Sequence, residues 1–79
     1  MEADSPTALR EELQRVAEEL AQLRETVADL RRRIGERWDD PTDSAERSLM
    51  ITTAEEQEAF IEVLDNRREE LLRRLGEHA

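Results

Sequence analysis

The sequence predicts an all-α fold, an antiparallel helical hairpin in which two helices form a coiled coil. In the first half of the chain, apolar residues recur at alternating steps of four and three, which is the heptad repeat of a coiled coil. The composition agrees, since 42% of the residues are charged, 3% are aromatic, and Gly and Pro number two each. The apolar positions of this first repeat are Leu9, Leu13, Val16, Leu20, Leu23, Val27, Leu30 and Ile34.

Helix 1 is predicted to cover about residues 6–37 of this sequence. Ser5 or Thr7 can cap its N-terminus, and Pro6 is tolerated in the first turn, where a helix leaves the backbone amide unpaired anyway. Gly35 weakens the last turn, because glycine is a poor helix former. The arginines around it complement the negative end of the helix dipole.

The turn is predicted at about residues 38–42 and helix 2 at about residues 43–75. Pro41 stops helix 1, because proline disfavours helical geometry in the residue before it. Gly76 is well placed to end helix 2. A β-branched run that opens a capping-box pattern allows a break at Thr52-Thr53. The apolar repeat nevertheless continues in step through that point, which favours one unbroken helix.

Folding the chain back around the turn brings the two seams together residue by residue, with every a position facing a d position, as an antiparallel coiled coil requires. The expected facing pairs are Ile34 with Met50, Leu30 with Ala54, Val27 with Gln57, Leu23 with Ile61, Leu20 with Leu64, Val16 with Arg68, Leu13 with Leu71, and Leu9 with Leu75. Opposite charges also meet in this arrangement. The groups expected to approach are Glu11, Glu12, Glu18 and Glu19 with Arg67, Arg68, Arg73 and Arg74, and Arg31 to Arg33 and Arg37 with Asp43, Glu46 and Glu55.

Helix 2 carries more apolar residues than its seam requires. A hairpin of 79 residues buries too little apolar surface to be comfortably stable alone. We therefore expect these residues to pack against a second copy, so that two hairpins form a homodimeric four-helix bundle. The alternative is a docking groove for a helix of a different protein. The residues concerned are Leu49, Ile51, Phe60, Val63 and Leu72.

Two polar residues, Gln57 and Arg68, occupy seam positions of helix 2. We expect them to set the register and the number of helices in the bundle, since polar seam residues restrict which alignments are stable. Arg68 is expected to extend its charged head toward Glu12, Glu18 or Glu19. The alternative is a buried ion pair with a functional role.

The sequence offers little for catalysis or for metal and cofactor binding, and none of these is expected. It contains no cysteine, and so no disulfide, thiol nucleophile or thiolate metal site. The single histidine, His78, is expected to be a tail residue and not a metal ligand. The carboxylates are spread over solvated helix faces, and there is neither a Gly-rich phosphate loop nor a Ser-His-Asp set.

The charge balance disfavours two classes of partner. With 21 acidic and 12 basic residues the net charge is −9, which repels nucleic-acid phosphates and anionic lipid headgroups. We therefore expect no direct binding to nucleic acid or to membranes. The N-terminal residues are acidic and form no apolar segment, and no long apolar run follows, so the expected location is the cytoplasm.

The turn gathers three carboxylates beside the start of helix 2, and its pattern Asp40-x-x-Asp43-x-Ala45 resembles the coiled-coil tip of the DksA/TraR family of RNA polymerase secondary-channel proteins. The resemblance implies that Asp40 and Asp43 project into the polymerase channel and that Ala45 allows close approach. The four-cysteine zinc finger of that family is absent. The only tryptophan, Trp38, lies with Asp39 at the mouth of the turn, where it either plugs the hairpin or anchors a partner.

A second pattern, Asp40-x3-Ser44-x2-Arg47-x3-Ile51-x3-Glu55, is similar to the E-x3-S-x2-R-x3-Q-x3-D pattern of anti-sigma hairpins that bind cyclic di-GMP. Ile51 stands where that pattern has the base-contacting glutamine. The function predicted from all these features is a non-enzymatic, homodimeric interaction or regulatory adaptor. The alternative is a transcription modulator that binds RNA polymerase or a sigma factor through the acidic tip or the apolar face of helix 2.

Overall fold

The computed structural model describes residues 5–36 and 44–77, which form two α-helices. Helix α1 is Pro6–Glu36 and helix α2 is Ser44–Glu77. They pack along each other as a hairpin, and these described residues contain no strand. The all-α, two-helix fold expected from the sequence is therefore confirmed. The predicted turn at about residues 38–42 lies outside the described residues.

Helix α1 begins with a serine cap. The backbone amide of Ala8 donates to Ser5 Oγ at 3.2 Å, and the amide of Leu9 donates to the Ser5 carbonyl oxygen at 2.9 Å. The first amides of a helix have no partner within the helix, so these bonds satisfy groups that would otherwise need water. Of the two caps that the sequence allowed, Ser5 is the one used, and Thr7 lies exposed within the first turn.

Helix α2 is continuous where the sequence allowed a break. Thr53 does not cap a new helix, because its hydroxyl donates to the carbonyl oxygen of Leu49, one turn earlier, at 2.8 Å. The prediction that Gly76 ends the helix is wrong, since α2 continues through Gly76 to Glu77. Gly76 does not take the positive φ that favours glycine after a helix end, and a Cβ there would meet nothing within 4 Å. Its local geometry therefore gives no reason for the helix to stop.

The core is the predicted seam. Every buried apolar residue among those described occupies a seam position, and no polar or charged residue in the same set is buried. Four further seam residues, Leu13, Leu23, Ile61 and Leu75, pack against this core while staying half-buried, because two helices cannot enclose a seam completely. The buried residues are Leu9, Val16, Leu20, Val27 and Ile34 from α1 and Ala54, Leu64 and Leu71 from α2.

Ion pairs on one flank of the seam show how the helices are aligned. Arg24 Nη2 donates to both carboxylate oxygens of Asp65 at 2.8 Å, and Arg31 Nη2 donates to Glu58 Oε1 at 2.5 Å. Each of these four residues follows a d-type seam residue and so holds an e position of its heptad. The two helices thus meet e to e along this flank, as antiparallel helices do.

The opposite flank carries the matching g-to-g contact. Arg67 Nε donates to Glu12 Oε2 at 2.6 Å, and both residues immediately precede an a-type seam residue. Only the alignment in which Leu20 faces Leu64 brings the pairs on both flanks into contact. The resulting hairpin is a thin rod with principal extents of 56 × 17 × 16 Å.

Candidate functional site

The apolar residues left outside the seam are the most unusual feature of the surface. Four of the five predicted from the sequence are exposed: Leu49 at 67%, Val63 at 60%, Phe60 at 46% and Leu72 at 44%. Ile51 is half-buried instead. Single exposed apolar residues are ordinary on protein surfaces, whereas several on one face mark a contact surface. Their arrangement around α2 therefore decides what they can do.

Helical geometry divides these residues into two groups. A residue advances by about 100° around an α-helix, so Leu49, Phe60 and Val63 fall within an arc of roughly 60°. We call these three residues the Phe60 face. Ile51 and Leu72 hold e positions on the other side of the seam, the side on which Arg24 binds Asp65 and Arg31 binds Glu58. The expectation from the sequence, that these five residues lie on more than one face of helix 2, agrees with their heptad positions.

The arc of the Phe60 face also carries three charged residues, of which Glu56 and Arg67 flank Phe60 and Val63 and Arg74 lies farther along α2. Glu56 lies one turn before Phe60 and Arg67 one turn after Val63, within the same arc of the helix. Glu56 is exposed, and none of the ion pairs formed within the described residues involves it. The apolar centre of this face is therefore bounded by opposite charges at its two ends.

Arg67 is held in place from two sides. Its Nε and Nη2 atoms both lie 2.6 Å from Glu12 Oε2, and its Nη1 donates to Glu70 Oε2 at 3.0 Å. The hydrogen bond to Glu12, followed by that to Glu70, raises the pKa of Arg67 above its ordinary value. The bond from Arg67, followed by the charge of Arg74, lowers the pKa of Glu70. The guanidinium is thus held in one orientation by carboxylates of both helices.

The expected role of Arg68 is not observed. Arg68 is exposed, and none of the ion pairs within the described residues involves it, whereas its neighbour Arg67 contacts Glu12. The reason is geometric, because a g-type residue lies on the flank where the other helix presents its g-type carboxylate, whereas an a-type residue starts from the seam itself. Sequence reasoning identified the right cluster of charges and assigned the contact to the wrong arginine.

At the other end of the hairpin, Arg31, Arg32 and Arg33 do not form the expected pairs, whereas Arg37 and Asp43 lie outside the described residues. Arg31 binds Glu58 and not the earlier carboxylates of helix 2, and the hydrogen bond to Glu58 raises the pKa of Arg31. Asp29 pairs within α1 with Arg33 at 3.0 Å and also with Arg32. Arg32 and Arg33 therefore form ion pairs one turn apart within α1, although the sequence analysis expected them to contact helix 2.

Gln57, the second polar seam residue, leaves an unpaired atom in the core. It is half-buried, and its Oε1 atom is inaccessible to water and has no hydrogen-bond partner. A buried acceptor without a partner costs about 1–3 kcal/mol relative to a hydrated one. Gln57 therefore occupies a position where an apolar residue would suit the hairpin better, which makes a role in selecting the alignment physically reasonable.

Most of the acidic tip predicted from the sequence lies outside the described residues. Trp38, Asp39, Asp40 and Asp43 lie outside the described residues, and their roles stay predictions, whereas Ala45 is exposed in the first turn of α2. The remaining residues of the second sequence pattern occupy the first three turns of this helix. Ser44 and Glu55 are exposed there, and Arg47 and Ile51 are half-buried.

The surface of α1 carries shallow depressions that are open to solvent. Two of them, of about 360 Å³ and about 260 Å³, are bounded by side chains of α1 alone, so neither excludes water between two elements. They are lined by Glu25, Ala28, Asp29 and Arg32 and by Glu11, Gln14, Arg15 and Glu18. Within residues 5–36 and 44–77, no group of three His, Cys, Asp or Glu side chains is arranged to hold a metal ion.

The same residues contain no helical stretch both long and apolar enough to cross a bilayer. Within the described residues, the Phe60 face combines exposed apolar side chains with flanking charges of opposite sign. Comparison with protein-family models, curated proteins and solved structures finds no match to this chain. The function is accordingly inferred from the geometry of that face.

Proposed function

We propose that this protein is a non-enzymatic coiled-coil interaction module that acts as a homodimer, with two hairpins meeting through the Phe60 face to form a four-helix bundle. One observation carries the proposal: Leu49, Phe60 and Val63 are exposed on a single arc of α2. A dimer would remove these side chains from water, and full burial of each is worth about 1.5–3 kcal/mol relative to full exposure.

The thinness of the hairpin supports the same proposal. A rod about 17 Å across has a single seam as its core, and several seam residues stay half-buried at its edges. Small amphipathic hairpins of this kind gain stability when a second layer of helices covers them. A second copy of the chain is present at the same concentration as the first, so this second layer requires no other protein.

Sedimentation equilibrium at tens of micromolar tests the proposal directly. We expect the wild-type chain to be a dimer and Phe60→Glu to be a monomer, because the substitution places two carboxylates in an apolar contact. Leu72→Glu is the matched control, since Leu72 has nearly the same exposure as Phe60 but lies across the seam. We expect this variant to remain dimeric.

Three results would contradict the proposal. A wild-type monomer at these concentrations would show that the face does not bind itself and would direct the search toward a different protein as its occupant. A Phe60→Glu variant that stays dimeric would place the contact elsewhere on the chain. Dissociation by Leu72→Glu alone would assign the contact to the side of the hairpin that carries Ile51.

A further inference from the structure

We infer that the two copies meet antiparallel, α2 against α2 of the second copy, about a two-fold axis that passes between Phe60 and Val63. This inference rests on the proposed homodimer and specifies its alignment. In this arrangement Phe60 of each chain lies against Val63 of the second copy, and Glu56 of each chain lies opposite Arg67 of the second copy. The contact is therefore isologous, with each pair occurring twice.

The order of residues along the Phe60 face makes the face complementary to itself. Reading toward the C-terminus, it presents Glu56, Phe60, Val63 and Arg67, which is acidic, apolar, apolar and basic at nearly even spacing. When the same face of a second copy is placed antiparallel to the first, each acidic residue lies opposite a basic residue and each apolar residue lies opposite an apolar residue. Farther from the axis the same alignment sets Leu49 beside the aliphatic stem of Arg74, whose head is held by Glu70 at 2.8 Å.

Other alignments of the same face are electrostatically worse. A parallel pair would bring Glu56 against Glu56 and Arg67 against Arg67, and like charges across a helical contact destabilise it. An antiparallel pair centred on Glu56 would also oppose two carboxylates, and it would set Phe60 against Thr52. The alignment about the axis between Phe60 and Val63 avoids both faults.

Arg67 retains the hydrogen-bonding capacity that this contact needs. A guanidinium has five N–H donors, and the bonds to Glu12 and Glu70 occupy at most three of them. At least two donors stay available for a third carboxylate. Because Glu12 and Glu70 already hold the guanidinium in one orientation, little further side-chain entropy is lost when Glu56 of the second copy binds.

Disulfide cross-linking of full-length variants tests the alignment, and the absence of native cysteine removes any background. When the Glu56→Cys and Arg67→Cys variants are mixed and mildly oxidised, we expect a disulfide to form between one chain of each variant. Glu56→Cys alone should not cross-link. Residue 56 lies opposite residue 67 of the second copy, so the two copies of residue 56 are offset along the helix axis by eleven positions, about 16 Å. A disulfide needs Cα atoms within about 7 Å. Efficient cross-linking of Glu56→Cys to itself, or none in the mixture, would overturn the inference.

A charge reversal tests it independently of any effect on the Arg67 network. We expect Glu56→Arg to raise the dimer dissociation constant roughly tenfold, because two favourable pairs become two repulsive ones. Glu55→Arg changes the net charge equally at an exposed position off the face and should leave the constant within about twofold. Equal effects of the two substitutions in a chain that still dimerises would refute the alignment while leaving the homodimer itself intact.

Discussion

At the scale of single residues, Gln57 is a polar side chain at a seam position where an apolar side chain would make the hairpin more stable. Its side chain occupies a d position that the heptad alignment sets opposite Val27, and its Oε1 atom is buried without a partner. Apolar seams are more stable than seams with a polar member, but they accept more alignments and more oligomeric states. The glutamine therefore costs free energy in the hairpin, and we propose that it restricts these alternatives.

Replacing this residue should make the hairpin more stable. We expect Gln57→Leu to raise the free energy of unfolding by about 1 kcal/mol, because it removes an unpaired acceptor and adds apolar contact. Chemical denaturation followed by circular dichroism measures the change. Gln14→Leu is the control, since Gln14 is exposed on α1 and its substitution should change stability by less than about 0.5 kcal/mol. A loss of stability in Gln57→Leu would mean that the amide has a partner in solution.

Glu70 offers a second test at this scale. We expect NMR titration to give its carboxyl a pKa below the ordinary value of 4.5, chiefly because of the hydrogen bond from Arg67. Arg67→Gln should raise that pKa, whereas Arg68→Gln, which removes a neighbouring arginine that makes no bond to Glu70, should change it much less. An equal response to both substitutions would show that overall positive charge, and not the specific bond, sets the pKa.

The direction of that shift fixes its link to pH. A carboxyl whose pKa is lower in the folded chain than in the unfolded chain stabilises the fold in its charged form. The contribution of Glu70 is therefore complete above about pH 4.5 and is lost as the pH falls through the folded-state value. Because Arg67 also faces the proposed partner, acidification should loosen the orientation of its guanidinium at the same time.

At the scale of the helices, α1 contains a glycine that its geometry does not need. Gly35 lies in the last turn, its φ is not positive, and a Cβ at this position would meet nothing within 4 Å. We expect Gly35→Ala to stabilise the protein by about 0.5–1 kcal/mol, since alanine loses less backbone entropy in a helix. Urea denaturation measures this change. Destabilisation would show that residue 35 leaves helical geometry in solution.

The sequence predicted the helices well because their strongest signals are periodic. The heptad repeat specified the seam, and every described buried residue occupies it. The preference of helix starts for Ser and Thr limited the cap of α1 to Ser5 or Thr7, and the structure shows Ser5 in that role. The end of α2 did not follow, because Gly76 can either end a helix or sit within its last turn, and nothing nearby in the sequence decides between them.

The candidate surface was only partly predictable from sequence. Exposure of Leu49, Phe60 and Val63 followed from their distance from the seam, whereas the half-burial of Ile51 did not. Glu12 and Arg67 were in the groups of opposite charges expected to approach, but the pair was not singled out, since neighbouring arginines are equivalent in composition and differ only in heptad position. Assigning e and g positions on both helices would have found that pair and the pair of Arg24 with Asp65.

At the scale of the whole molecule, the net charge opposes association of two chains, whereas the thin shape favours it. The thin rod leaves apolar surface to cover, which favours association, while two chains of net charge −9 repel each other. The local charges on the Phe60 face offset part of that repulsion, because Glu56 and Arg67 pair across the proposed contact. Salt screens the long-range repulsion more than it screens close, partly buried pairs.

Folding and association should therefore be linked in a measurable way. If the dimer is the stable folded species, dilution favours dissociation and the less stable monomer, so the melting temperature should rise with protein concentration. Circular dichroism melts over a hundredfold range of concentration measure this dependence. Phe60→Glu should melt at a lower temperature that does not depend on concentration, because its hairpin unfolds alone. A wild-type melting temperature that stays constant across the range would mean that the hairpin is stable as a monomer. The thin shape of the hairpin would then no longer support a second layer of helices.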